Sequence, residues 1–195
     1  MSETSESRDL NTFQGESDWE LADDTSLFQH FHPRLVRFIT KLLGGTGIDP
    51  EDVAQEAIWK VISKRSLYDP QYRFTTWVYI IAHRTALDHR RRRRPLSAGE
   101  SLDNISTGKH NPVTAVETRE QVERIWEIAE RVLSSDQHAA LWLRYGEEMG
   151  VSEVARVLRK PTVTTRVLLY RARAILRRQL EDVGNSSNDV SEVEK

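Results

Sequence analysis

The sequence predicts an all-α protein: two helical domains joined by a flexible linker, the C-terminal one a helix-turn-helix. Three observations carry this. Apolar residues recur at spacings of three and four through most of the chain, with almost no strand-like alternation. Residues 95–112, between the two patterned halves, are rich in Ser, Asn, Gly and Pro. Near the C-terminus a short amphipathic segment, a break at Arg159-Lys160-Pro161 and a longer helical segment follow one another.

Residues 1–23 are acidic and rich in Ser and Thr, and read as a disordered tail. From Asp24, Leu27, Phe31, Leu35, Phe38, Ile39 and Leu42 mark the first helix, which Pro33 is expected to kink or split, and which Gly44, Gly45 and Gly47 end. Asp49-Pro50-Glu51-Asp52 starts the second: a capping acid, Pro in the first turn, and acids at the positive end of the helix dipole. Its apolar stripe is Val53, Ala57, Ile58, Val61 and Ile62, and Asp52, Gln55, Glu56 and Lys60 lie away from it.

A loop over 66–74 carries Tyr68, Tyr72 and Phe74. Thr75 or Thr76 is expected to cap the third helix, which runs through Trp77, Tyr79, Ile80 and Leu87 into Arg90, Arg91, Arg92, Arg93 and Arg94, and Pro95 stops it. The first domain thus spans 24–94 and the linker 95–112. The second domain spans 113–181. It opens with a helix over 113–133, with Val116, Val122, Ile125, Trp126, Ala129 and Leu133 as candidate core. A helix from Ser134-Ser135-Asp136 through Tyr145 follows. The helix-turn-helix is formed by Val151–Leu158 and Thr162–Leu180, and an acidic tail covers 182–195. Leu168, Leu169, Ala172, Ile175, Leu176 and Leu180 supply the packing face of the last helix.

Charge narrows the partner class. The 195 residues have a net charge of −2, but residues 1–30 hold eight acids and one base, and 181–195 hold five acids and one base. The body between them carries a net +9, much of it clustered, which suits a polyanion. Arg166, Tyr170, Arg173 and Arg177 share one face of the last helix, and Thr162, Thr164, Thr165 and Arg166 occupy the first turns, the part of such a helix that enters a major groove. Aromatics at Tyr68, Tyr72, Phe74, Trp77 and Tyr79 beside an arginine run suit unpaired bases, which stack on rings while cations meet the backbone. At least one of Phe74 and Trp77 is expected to be core.

No apolar run approaches the ~20 residues of a membrane span. The acidic N-terminus lacks a signal-peptide pattern, and a cytoplasmic location is the expectation. With no cysteine there is no thiolate metal site, and the histidines lack ligand partners; His30 and His32, two apart, diverge on a helix. No nucleotide loop or catalytic set is present in the sequence, so the protein is read as no enzyme, with no cofactor.

The two halves together resemble the extracytoplasmic-function (ECF) sigma factors of bacterial RNA polymerase, of the sigma-70 family. The N-terminal half carries Asp52-Val53-Ala54-Gln55-Glu56, Phe74-Thr75-Thr76-Trp77-Val78 and Asp88-His89-Arg90, as in sigma domain two. The C-terminal half carries Leu133-Ser134-Ser135-Asp136-Gln137, Leu141-Trp142-Leu143-Arg144-Tyr145, Glu153-Val154-Ala155 and Tyr170-Arg171-Ala172-Arg173, as in sigma domain four. The resemblance implies a protein that binds core polymerase and directs promoter-specific initiation. Asp52, Gln55 and Glu56 would face the clamp helices of the beta-prime subunit, and the beta flap is a further implied contact on the polymerase. The loop at 68–77 (Tyr68, Phe74, Trp77) and the following helix (Arg84) would read and hold the melted −10 element. Arg90, Arg91, Arg92, Arg93 and Arg94 would touch DNA backbone. Thr162, Thr164, Thr165, Arg166, Tyr170 and Arg173 would read or hold the −35 duplex. An anti-sigma factor is a further implied partner. Three positions depart from the pattern: Arg84 stands where Asn is common, Arg159 where the turn usually has Gly, and Leu168 where an arginine is common. The alternatives are a stand-alone helix-turn-helix regulator and a sigma-like protein that mainly binds other proteins.

Overall fold

The computed structural model describes residues 19, 22–93 and 117–189. Seven α-helices occupy them, and these residues contain no strand.

Helix α1 (Asp24–Leu43) is capped by the Asp23 carboxylate, which accepts from the Ser26 N–H at 2.6 Å. All six residues of its predicted stripe are buried. Pro33 does not split the helix: α1 runs through it as one continuous element. Pro33 and Gln29 both lie on the solvent face, where water can satisfy the carbonyl that the missing N–H leaves open. The tail expected to extend to residue 23 is also corrected. Trp19 and Ala22 belong to the core, and the Arg65 guanidinium donates to the carbonyls of both.

Helix α2 (Pro50–Ser63) starts as its sequence requires, with Asp49 accepting from the Glu51 N–H at 2.9 Å and Pro50 in the first turn. A short 3₁₀ turn (Arg65–Leu67) leads into the 68–73 loop. Helix α3 (Phe74–Arg93) begins two to three residues earlier than expected, so Thr75 and Thr76 are buried helical residues rather than caps.

The second half comprises α4 (Glu117–Val132), α5 (Ser135–Leu141) with a π-helical turn over Trp142–Gly146, α6 (Val151–Leu158) and α7 (Thr162–Asp189). A reciprocal capping box at Ser134 and Gln137 starts α5. Val122, expected in the core, is 51% exposed. Helix α7 also runs past the boundary expected at 181. The linker, most of the N-terminal tail and residues 190–195 lie outside the described residues.

Although divided by sequence, the two halves share one hydrophobic core. Phe38, Val78 and Tyr79 of the first cluster with Ala139, Leu143, Met149 and Val154 of the second. Helix α6 packs directly on α3, and α5 on α1. Specific polar contacts cross the same boundary. Trp142 Nε1 donates to the Tyr79 hydroxyl at 3.3 Å, and Arg34 pairs with the buried Glu147 carboxylate at 3.3 Å. Ser135 Oγ donates to the Lys41 carbonyl at 3.1 Å, and Lys41 Nζ donates to the Glu130 carbonyl.

Candidate functional site

Three surfaces gather the residues singled out in the sequence. The first is on α2. Asp52 and Gln55 are exposed, as an interface with a basic protein needs. Glu56 is more constrained. One carboxylate oxygen lies 2.6 Å from Lys60 Nζ and the other 2.6 Å from His89 Nε2. Hydrogen bonds from Lys60 and then His89 hold its carboxyl below the usual carboxylate range. These acids border a shallow depression whose floor and rim are Phe28, Ile58, Trp59 and Ile62. Trp59 is 69% exposed and Phe28 40%. Sequence reasoning missed both, although a tryptophan off the apolar stripe of an amphipathic helix is a readable signal.

The second surface is the 68–77 loop and α3. Tyr68 is half-buried, with its ring edge-on to Phe74 and its hydroxyl donating to the Tyr72 carbonyl at 2.6 Å. Phe74 and Tyr79 are fully buried, so neither presents a face to a base; they are core, held among Phe31, Phe38 and neighbouring rings. Trp77 is half-buried. Arg84, Arg90, Arg91, Arg92 and Arg93 are exposed along one helix, and Arg93 donates to the Thr46 carbonyl at 3.3 Å. Arg94 lies outside the described residues.

Helix α6 covers part of this second surface. Thr76 Oγ1 donates to Glu153 at 2.7 Å, and Arg73 approaches the same carboxylate at 3.9 Å. The Arg156 guanidinium lies 4.0 Å over the Tyr72 ring. Glu153 also accepts from the Gly150 N–H at 2.8 Å, so one carboxylate both caps α6 and ties it to α3.

The third surface is the helix-turn-helix. Arg159 adopts the left-handed conformation, φ 53 and ψ 41, that a glycine usually fills. The turn therefore closes with its normal geometry despite the β-carbon, and the Lys160 N–H reaches back to the Ala155 carbonyl at 3.0 Å. Thr162, Thr164, Arg166, Tyr170 and Arg173 are exposed on α7. Thr165 is not available: it is fully buried, and its hydroxyl donates to the Pro161 carbonyl at 3.2 Å. It points inward because the predicted run Thr164-Thr165-Arg166 spans about 200° of helix, more than one face can present. Leu180, expected to pack, is 39% exposed. Val163 (71% exposed) and Val167 (42%) join the outer face, and sequence reasoning named neither for recognition.

Two buried histidines stand at the boundary between the halves. Burial lowers both His83 and His138 to about 4, with Lys41 adding to the effect at His138. Among the described residues, no group of His, Asp and Glu could hold a metal ion. Nor is any described helix long and apolar enough to cross a membrane.

Fold and surfaces together define a helical protein with one exposed acidic patch and two separate cationic faces. Sigma-70 region 2 matches residues 27–95, and Sigma-70, region 4 matches residues 128–176. The ECF RNA polymerase sigma factor SigW of Bacillus subtilis is 24% identical over 162 residues, covering 78% of this chain and 86% of its own. The RNA polymerase sigma-H factor of Pseudomonas aeruginosa is 29% identical over 143 residues, covering 68% and 74%. In fold, the chain is similar to the sigma factor RpoE of Bartonella quintana, solved in complex with the anti-sigma factor NepR. That likeness has a TM-score of 0.58 at 18% identity, over 79% of this chain and 94% of that one. It is also similar to CnrH in complex with the cytosolic domain of CnrY, with a TM-score of 0.51 at 18% identity, over 86% and 95%. The chain belongs to the sigma-70 family, as an ECF sigma factor.

Proposed function

We propose that this protein binds core RNA polymerase through α2 and directs it to promoters by two separate DNA contacts. The observation that carries this reading is the presence of all three surfaces, in family order, on one chain: the acidic patch with Trp59, the arginine-lined α3, and the helix-turn-helix. Each suits a different partner chemistry. Exposed carboxylates beside an apolar ring fit a basic protein helix. The exposed arginines of α3 fit a single strand, with Trp77 and Tyr72 as the aromatic faces within reach. Helix α7 fits a duplex major groove. An acidic or apolar anti-sigma factor would compete for these faces. Polymerase supplies the chemistry of initiation, and this chain supplies placement.

The docked arrangement gives the two DNA contacts unequal access. Helix α7 faces outward, while α6 holds Arg73 and Thr76 through Glu153 and lays Arg156 over one face of the Tyr72 ring. A melted −10 strand needs the second half to move off α3; a −35 duplex does not.

Run-off transcription from genomic fragments with core polymerase tests the reading. Expected is initiation at a subset of promoters that depends on this protein and is lost in Asp52→Arg. Tight duplex binding by the isolated protein, with no effect on polymerase, would instead make it a stand-alone regulator.

A further inference from the structure

The centre of α7's outward face is apolar. At about 100° per residue, Val163, Val167, Tyr170 and Ala174 fall on one line, and all four are exposed. The line lies opposite the buried Thr165, Leu169, Ala172 and Leu176. Arg166, Arg173 and Arg177 run along one flank, and Arg171 and Arg178 along the other, all exposed. An exposed apolar seam between two cationic rails is costly in water and unneeded for packing. It is what a helix end-on in a major groove can use, because the rails meet the two phosphate walls and the seam meets the base edges.

The major groove offers one apolar group, the C5 methyl of thymine. We infer that Val163 and Val167 are specificity-determining residues that read thymine methyls in the −35 duplex, with Tyr170 and the arginine rails positioning the helix. This rests on the promoter-directing reading above and adds to it the base class selected. Leu168 takes no part, because it is half-buried against the core. The position where a cation is common in the family therefore faces inward here, and the seam carries apolar contact where a hydrogen-bonding residue would otherwise read a base. Arg166 remains beside the seam for a hydrogen-bonded base or a phosphate.

The test uses the full chain with core polymerase. Promoters are selected from a library randomised over the −35 element, and each selected −35 thymine is then replaced by deoxyuridine, which keeps every hydrogen bond and removes only the methyl. At one or more positions, dT→dU should lower promoter-complex formation about fourfold, the factor expected for one buried methyl-sized group. The double variant Val163→Ala/Val167→Ala should lower binding to the thymine duplex to the same extent and no longer distinguish dT from dU there. Equal melting temperatures for the two proteins would show that the fold is intact; both substitutions are at exposed helix positions, where Ala is a good helix former. Substitution of dT by dU in the −10 element should affect both proteins alike. Selected −35 elements without thymine would overturn the inference, and so would dT/dU discrimination that persists in the double variant. So would an equal loss by the double variant on both duplexes, which would mark the seam as a protein-docking face. If no promoter-selective initiation occurs at all, the sigma reading itself fails. Selective but methyl-blind initiation overturns only the valine assignment.

Discussion

Tyr79→Phe removes one oxygen from the centre of the boundary between the halves. That hydroxyl accepts from Trp142 Nε1 at 3.3 Å and is hydrogen-bonded to the Glu147 carboxylate, which Arg34 pairs from the other side. Desolvation, together with the Glu147 charge, raises the phenol well above its ordinary value, so it remains a protonated donor at any working pH. The substitution leaves the Tyr79 ring packed edge-on to Phe38 at 5.1 Å and opens no cavity larger than one oxygen. Its cost is the desolvation of what it orphans: a buried indole N–H and a carboxylate that loses a donor. Stranding such groups costs about 1–3 kcal/mol. For a chain of this size roughly 2 kcal/mol corresponds to a melting temperature about 4–8 °C lower. Differential scanning calorimetry of the full chain reads this directly. Tyr68→Phe is the matched control, since the hydroxyl it deletes donates to an exposed loop carbonyl, and should shift the transition by about 1 °C. A Tyr79→Phe/Trp142→Phe cycle should show coupling of about 1 kcal/mol. A melting temperature within 1 °C of the parent, with no coupling to Trp142, would mean the hydroxyl is not buried between the halves, and the docked arrangement would be refuted.

Trp59→Ala, at a site 69% exposed, should leave melting unchanged while weakening core-polymerase affinity on the order of thirtyfold, as a central aromatic anchor does; a thermal melt checks the first and a pull-down titration the second. Arg159→Gly should raise stability by about 1 kcal/mol in denaturant melts, because glycine holds φ 53 without β-carbon strain. Acidification should destabilise the fold between pH 6.5 and 4. His83 and His138 fall from 6.5 to about 4 on folding, so the unfolded chain binds more protons in that window and stability declines as pH falls through it. At pH 5 each histidine accounts for about 2 kcal/mol. The double variant His83→Gln/His138→Gln should flatten the pH slope of the melting temperature, and an unchanged slope would contradict the neutral, buried assignment.

Local and periodic features were legible in the sequence. The α1 stripe is wholly buried because each of its residues sits three or four from the last, and the Asp49-Pro50 start holds because a cap depends on neighbours only. Errors arose where tertiary context decides. Pro33 does not break α1, because it sits on a face that water reaches. Residue type and position assign Phe74 and Thr165 to DNA, but Phe74 is buried against Phe31, more than forty residues away, and Thr165 falls on the inner face of its helix. Arg159 tolerates a left-handed turn because α6 and α7 are already fixed by their packing on each other. The docking of the halves left no local sequence signal, because its shared apolar core and its polar contacts, such as those of Tyr79 Oη and Thr76 Oγ1, join residues more than sixty apart.

That docking ties stability to access. A ligand that binds only the open form has its affinity reduced by the open fraction. Each interaction across the boundary therefore stabilises the chain and weakens −10 binding together. The Glu153 contacts are half-exposed, and the Arg73 approach at 3.9 Å contributes little. The buried Tyr79, Trp142 and Glu147 cluster is the stronger lock. Tyr79→Phe should thus move two properties in opposite directions. If the whole of roughly 2 kcal/mol acts on docking, the open fraction rises by up to about thirtyfold. Affinity for a single-stranded −10 oligonucleotide should rise with it, because α3 and Tyr72 become free of α6. Affinity of α7 for a −35 duplex should stay constant, because α7 faces outward in both forms. Fluorescence anisotropy with the two labelled DNAs separates them. Parallel changes in both affinities, or a fall in the single-strand affinity, would show that the covered loop is not what limits −10 binding.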